Sequence, residues 1–167
     1  AGSKTGQKGG DFAVIAFLRN RVRFLDTSDL DDGVIFLRLR RTVSARPRVN
    51  QYPTYLFDIC QKSDGATVGR CDLRLGHNPF LYYSGNIGYR VYESFRGHHY
   101  AAHASRLLFS LARRHNMDWL IITCNPDNLP SRRTCELLGG ELLEIADVPA
   151  DHELYQLGER QKCIFRY

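Results

Sequence analysis

The stretch GNIGYRVYESFRGHHYA, residues 85–101, decides the fold. Its first half, Asn86 to Tyr92, has the β-branched and aromatic content of a strand. Its second half carries small residues, Gly97 and Ala101, among the donors Arg96, His98 and His99. It opens Gly97 to His115, where Leu107, Leu108, Leu111 and Ala112 fall on one helical face and Arg106, Arg113 and Arg114 on the other. A helix N-terminus leaves backbone N–H groups unpaired and carries partial positive charge, so small residues there let a phosphate approach. An ordinary strand–turn–helix joint with Gly97 as its permissive residue is the other reading of the turn alone. No Gly-Lys-Ser/Thr follows and no G-x-G-x-x-G is present, so neither common nucleotide-loop motif applies.

Outward from this stretch, the pattern alternates strands with helices. Upstream, strands are expected at Arg21–Leu25, Val34–Arg40, Tyr55–Cys60 and Thr67–Leu75, with Ser63, Asp64 and Gly65 turning the hairpin between the last two. Ser44–Pro53 and Gly76–Gly85 are expected as loops. Downstream, Trp119–Thr123 is a short apolar strand, and Asn128–Leu138 a second helix with Pro130 in its first turn and Gly139 as its stop. Glu141–Ile145 and Gln161–Arg166 complete the strands. Strands before, between and after two helices point to a mixed α/β, or α+β, domain.

The bulk properties agree with one globular domain of 167 residues, here taken as 11–167 after a disordered Gly/Lys/Ser/Thr-rich lead-in at 1–10. No apolar run approaches the roughly 20 residues of a membrane span, and no apolar segment near the start suggests a signal peptide. The five cysteines (Cys60, Cys71, Cys124, Cys135 and Cys163) are odd in number and form no C-x-x-C pair. That argues against a disulfide scaffold or a cysteine-built zinc site, and a reducing cytoplasm is the expected compartment. A formal net charge of +5 suits a phosphate-bearing ligand without choosing between a nucleotide cofactor and nucleic acid.

Two motifs narrow the choice. Residues 86–91 followed by Arg96-Gly-His-His-Tyr-Ala101 resemble the cofactor motif of the GNAT acetyltransferase superfamily, Arg/Gln-x-x-Gly-x-Gly/Ala after a strand. Asn128-Leu-Pro-Ser131, running to Leu138-Gly139-Gly140, resembles the second, Asn-x-x-Ala/Ser before a helix ending in Leu-Gly, and its serine is like that of the ribosomal-protein acetyltransferase branch. The resemblance implies a mostly antiparallel twisted sheet flanked by helices, with a V-shaped splay between the strands at 86–92 and 119–123. Acetyl-coenzyme A would lie in the V, its pantetheine arm on Tyr89, Arg90 and Val91 and on Asn128 and Ser131. The pyrophosphate would sit on Arg96, Gly97, His98, His99, Tyr100 and Ala101. The implied chemistry is direct transfer of acetyl to an amine, with no metal and with a backbone N–H such as that of Val91 on the oxyanion.

Departures from the family pattern fall at the proton-transfer positions. His99 stands at the motif glycine, tolerable if the backbone there stays helical. Cys135 stands where relatives carry an acid tyrosine, so Cys135 or Ser131 is the candidate acid, with plain packing the other reading of Cys135. Gly85 and Thr123 occupy the usual glutamate positions, leaving Asp72, His77 or Glu93, or a water, as base. The helices that usually wall the acceptor are reduced between Thr27 and Pro53, where Arg38, Arg40, Arg41, Arg46 and Arg48 favour an anionic acceptor or form a solvated face. A small-molecule or peptide amine is the expected partner, with homodimer formation open; nucleic acid is not expected, for want of an RNA-recognition or zinc signature. A non-catalytic coenzyme A-binding sensor of the same fold is the alternative.

Overall fold

The computed structural model describes residues 22–167. The lead-in at 1–10 and Arg21 lie outside the described residues; residues 22–25 of the first expected strand form no regular element.

Among the described residues, seven strands make two antiparallel sheets. β1 (Ile35–Val43), β2 (Thr54–Gln61), β3 (Thr67–Arg74) and β4 (Ile87–Val91) pair in sequence order. β5 (Ile121–Cys124), β7 (Gln161–Arg166) and β6 (Glu141–Asp147) form the second sheet, with β7 central. Alternation along β3 sends Cys71 and Leu73 into the core and Asp72 and Arg74 to the other face. Along β1, Ile35 and Leu37 are buried and Leu39 is exposed, and a register shift follows between Leu39 and Arg41.

The described residues also form four α-helices: α1 (Pro79–Ser84), α2 (Tyr100–Arg114), α3 (Leu129–Leu137) and α4 (Glu153–Gln156). α2 packs on β1, β3 and β4 through Ala104, Leu108, Leu111 and Ala112, which meet Tyr55, Phe57 and Leu73 in the core. Burying a leucine of this kind contributes roughly 1.5–3 kcal/mol. α1 corrects the expected loop at 76–85. The Asn78 side chain accepts from the Leu81 N–H (2.8 Å) and Pro79 occupies the first turn, so the start is capped although the helix is too short for a clear period.

The two sheets share one core, and Asn86 hydrogen-bonds one to the other. The N–H of Asn86 donates to the Ile121 carbonyl (2.7 Å), and the N–H of Ile121 donates to Asn86 Oδ1 (2.9 Å). Asn86 Nδ2 donates to the carbonyls of Gly76 (2.8 Å) and Arg74 (3.1 Å), fastening the same residue to β3. Gly85 makes the approach possible, since a β-carbon there would lie 3.3 Å from the Ile121 carbonyl and φ is +75°. Past this clasp β4 and β5 belong to different sheets, and the gap between them is the V.

Candidate functional site

The V opens into a cleft of about 750 Å³ between β4, the turn before α2, and α3. β4 supplies Tyr89, Arg90 and Val91. A 3-10 turn at Glu93–Phe95 leads into Arg96, Gly97, His98 and His99, and α2 then begins with Tyr100 and Ala101. The far wall is α3, with Asn128 and Ser131. All eleven residues that the motifs assign to the cofactor therefore line one cavity. Phe95, Pro130, Arg133, Thr134 and Leu137 line it too. The last four recur at helical spacing from Pro130, and that spacing is the signal which could have found them. Arg90, Arg96 and Arg133 face the cavity and no acidic residue lines it, which suits a polyanionic ligand.

The turn differs from expectation in its backbone. α2 starts at Tyr100, not Gly97, and His99 is its N-terminal cap residue at φ 56°, ψ 22°, in the left-handed region. The motif position that carries His99 thus needs the conformation glycine adopts freely, and histidine is one of the few other residues enriched there. The His99 side chain makes no capping hydrogen bond. Asn128 does cap α3, accepting from the Ser131 N–H at 3.2 Å.

Proton-transfer candidates are distributed on two sides of the sheet. Ser131 and Tyr89 are neighbours across the cleft, with Oγ and the phenol oxygen 2.9 Å apart. Cys135 lies fully buried behind them, its Sγ 3.8 Å from the Tyr89 hydroxyl, and it does not line the cavity. Hydrogen bonding from Cys124, then from Tyr89 and Tyr167, outweighs burial and holds the Cys135 thiol down at about 7. Burial, with Cys135 beside it, pushes the Tyr89 phenol well above its ordinary value.

Asp72 sits on the opposite face of the sheet, outside the cleft. Its carboxyl leans over Gly88 of β4, where a β-carbon would come 2.6 Å from Oδ1. Arg74 Nη2 stands 3.0 Å from Oδ2, while Nη1 of the same guanidinium donates to the Ser84 and Gly85 carbonyls. Burial pushes the Asp72 carboxyl up, opposed by Arg74. The other two base candidates are placed elsewhere: His77 stacks on Trp119 at 3.7 Å and bonds its carbonyl, and Glu93 is exposed in the 3-10 turn. Among the described residues no group of His, Cys, Asp and Glu is arranged to hold a metal.

Comparison with known families supplies the deciding observation, since the acetyltransferase (GNAT) domain profile matches residues 13–141. The chain belongs to the GNAT family. Its fold agrees with that of solved acetyltransferases. One is described as a ribosomal-protein-serine acetyltransferase from Vibrio cholerae, at 18% identity and TM-score 0.53, covering 68% of this chain and 63% of that one. A second is a ribosomal-protein-S5-alanine acetyltransferase from Vibrio fischeri, at 13% identity and TM-score 0.53, covering 68% and 61%. A third is the microcin C7 self-immunity acetyltransferase MccE, solved with acetyl-CoA and AMP, at 18% identity and TM-score 0.52, covering 68% and 60%. The chain spans about three fifths of the length of these structures. No curated protein matches it by sequence. GNAT acetyltransferases use acetyl-CoA.

Proposed function

We propose that the chain moves an acetyl group from acetyl-coenzyme A directly to an amine, with both substrates bound at once. The observation that carries this reading is the single cleft that gathers the β4 edge, the α2 N-terminus and Asn128. On its β5 side, β4 has no strand partner beyond Asn86, so its edge accepts the pantetheine amides as an added strand. The pyrophosphate takes the unpaired N–H groups at the start of α2, with Arg96 adding charge. Asn128 and Ser131 hold the arm from α3.

The amine approaches from the opposite face of the sheet, where Asp72 leans over Gly88 and takes the ammonium proton directly or through a water. Its raised pKa suits a base that works near neutrality. Proximity then supplies most of the rate, because a neutral amine attacks a thioester readily once held in line. The acceptor is a small-molecule or peptide amine. All five cysteines are free and buried, as suits a reducing cytoplasm. Among the described residues no helix is long and apolar enough to cross a membrane.

The test is thermal melting with and without acetyl-coenzyme A, followed by an amine screen that reads release of free thiol. A raised melting temperature and thiol release above hydrolysis background support the reading. Binding with no release from any amine returns the sensor alternative, and no melting shift removes both.

A further inference from the structure

The face of the first sheet that turns away from α2 is basic. Facing positions of the ladders set Arg38 of β1, Asp58 of β2, Arg70 of β3 and Arg90 of β4 side by side in one row. Arg40 joins them, its Nε 3.5 Å from Asp58. The neighbouring row runs Leu56, Asp72, Gly88, and so ends where the Asp72 carboxyl leans over β4. The side chains of Arg38, Arg40 and Arg70 are 52%, 42% and 57% exposed, so this part of the face stands open to a partner.

The charges of the row do not balance, because one carboxylate serves three guanidiniums. Arg38 Nη2 lies 3.2 Å from Asp58 Oδ2 and also donates to Thr67 Oγ1 at 2.9 Å. Arg40 and Arg70 stand 3.5 and 3.7 Å from Asp58, longer than a charge-assisted hydrogen bond. Arg70 lies directly opposite Arg90, and like charges in facing positions are destabilising. Arg74, by contrast, is occupied by Asp72 and by the Ser84 and Gly85 carbonyls. The surplus is spread out, since Arg38 and Arg70 are two strands apart, about 10 Å, with Asp58 between them. One small anion does not bridge that distance, whereas carboxylates on alternate residues of an extended chain, about 7 Å apart on one side, reach both. Phe36, the aromatic residue on this face of β1, is half-buried with the Lys62 ammonium 6.0 Å from its ring, which leaves no platform for a stacked base.

We propose that the row is the docking surface of the acceptor, and that the acceptor is an acidic peptide. Its amine lies at Asp72 and Gly88, and its carboxylates run across the strands toward β1. This rests on the reading that the amine enters from this face. With strands about 4.8 Å apart and a rise of about 3.3 Å per residue, Arg70 lies about 8 Å from Gly88 and Arg38 about 16 Å. At about 3.4 Å per extended residue, the acidic side chains fall roughly two to five places after the amine. Arg46 and Arg48 flank the start of the turn that follows β1, off this row, and take no part. The basic residues that the sequence offers as one group thus divide into a docking row, which gains Arg70 from β3, and a solvated turn.

The test uses the full chain and short peptides with a free N-terminal serine and a fluorophore at the far end. The third to sixth places hold Asp-Glu-Asp-Glu in one peptide and Asn-Gln-Asn-Gln in the other. Fluorescence anisotropy in the presence of coenzyme A reads binding, and thiol release from acetyl-coenzyme A reads transfer. The acidic peptide binds about tenfold tighter than its amide counterpart at low ionic strength, and by a smaller factor at high salt. Arg38→Gln combined with Arg70→Gln removes most of that preference, which appears in transfer as a raised KM with kcat unchanged. Arg46→Gln combined with Arg48→Gln removes the same charge and leaves binding within about twofold. If the first double variant melts early, Arg70→Gln alone decides, with a loss of about threefold. Equal binding of the two peptides, or equal losses in the two double variants, overturns the proposal. So does an oligonucleotide of the same charge that binds more tightly than the acidic peptide, or self-association that the first double variant abolishes while no peptide binds. Arginine-dependent binding of the acidic peptide without thiol release overturns instead the reading that an amine is acetylated from this face.

Discussion

Replacing Asn86 by alanine is the sharpest perturbation of this architecture, because one side chain joins the two sheets. Asn86 is 1% exposed, and its amide makes three hydrogen bonds: it accepts from the Ile121 N–H and donates to the Arg74 and Gly76 carbonyls. A typical buried hydrogen bond contributes about 1 kcal/mol net, so three contribute about 3 kcal/mol. Leaving the Ile121 N–H unpaired adds to the loss, while water entering the space of the missing amide offsets part of it. The expected destabilisation is about 3 kcal/mol, a large share of the roughly 5–15 kcal/mol available to a domain. For a chain of this size that corresponds to a fall in melting temperature of roughly 6–12 °C. The main-chain bond from Asn86 to Ile121 survives the substitution, so the V loosens without detaching. Urea denaturation followed by circular dichroism measures the effect, with coenzyme A affinity measured on the same samples. A loss below about 1 kcal/mol with unchanged affinity would refute the claim that Asn86 is the clasp.

Four further predictions concern the cleft and its surroundings. His99→Gly removes a left-handed non-glycine residue, so stability stays level or rises by up to about 1 kcal/mol, whereas His99→Val costs about 1–2 kcal/mol; thermal melts of both variants test this. Asp72→Asn lowers acetyl transfer by about 100-fold with coenzyme A affinity unchanged, measured by thiol release and calorimetry. The same substitution alters the pH dependence of folding: burial raises the native Asp72 pKa, so the folded state binds the proton more tightly than the unfolded state. Wild-type stability therefore declines as pH rises from the ordinary carboxylate value through the raised one, and that component of the slope is absent from denaturant titrations of Asp72→Asn. Arg133→Ala weakens coenzyme A binding by about tenfold at low ionic strength and by less at high salt, read by calorimetry at two salt concentrations.

The order and type of most elements were legible because they rest on local chemistry. Asn128, Pro130 and Gly139 bracket α3 with a cap, a first-turn proline and a stop. The apolar stripe of α2 fixes both the helix and its buried face. α1 was missed because six residues show no helical period, and its signal is only the Asn78–Pro79 start. The left-handed backbone at His99 was not legible, because residue identity alone does not exclude a helical start and the strain is set by how the 3-10 turn delivers the chain to α2. In the site, the motif spacing marks Tyr89 to Val91 and Arg96 to Ala101, all near one another in sequence. The contacts of Asn86 with Ile121, and of the Tyr89 hydroxyl with Ser131 and Cys135, join residues 35, 42 and 46 apart along the chain. No local pattern encodes such pairs.

A structure of the chain with bound coenzyme A tests the central claim most directly. The account predicts the pantetheine arm in the V between β4 and β5 and the pyrophosphate on the N–H groups at the start of α2. Coenzyme A bound outside the V, or with its pyrophosphate away from the start of α2, would contradict it.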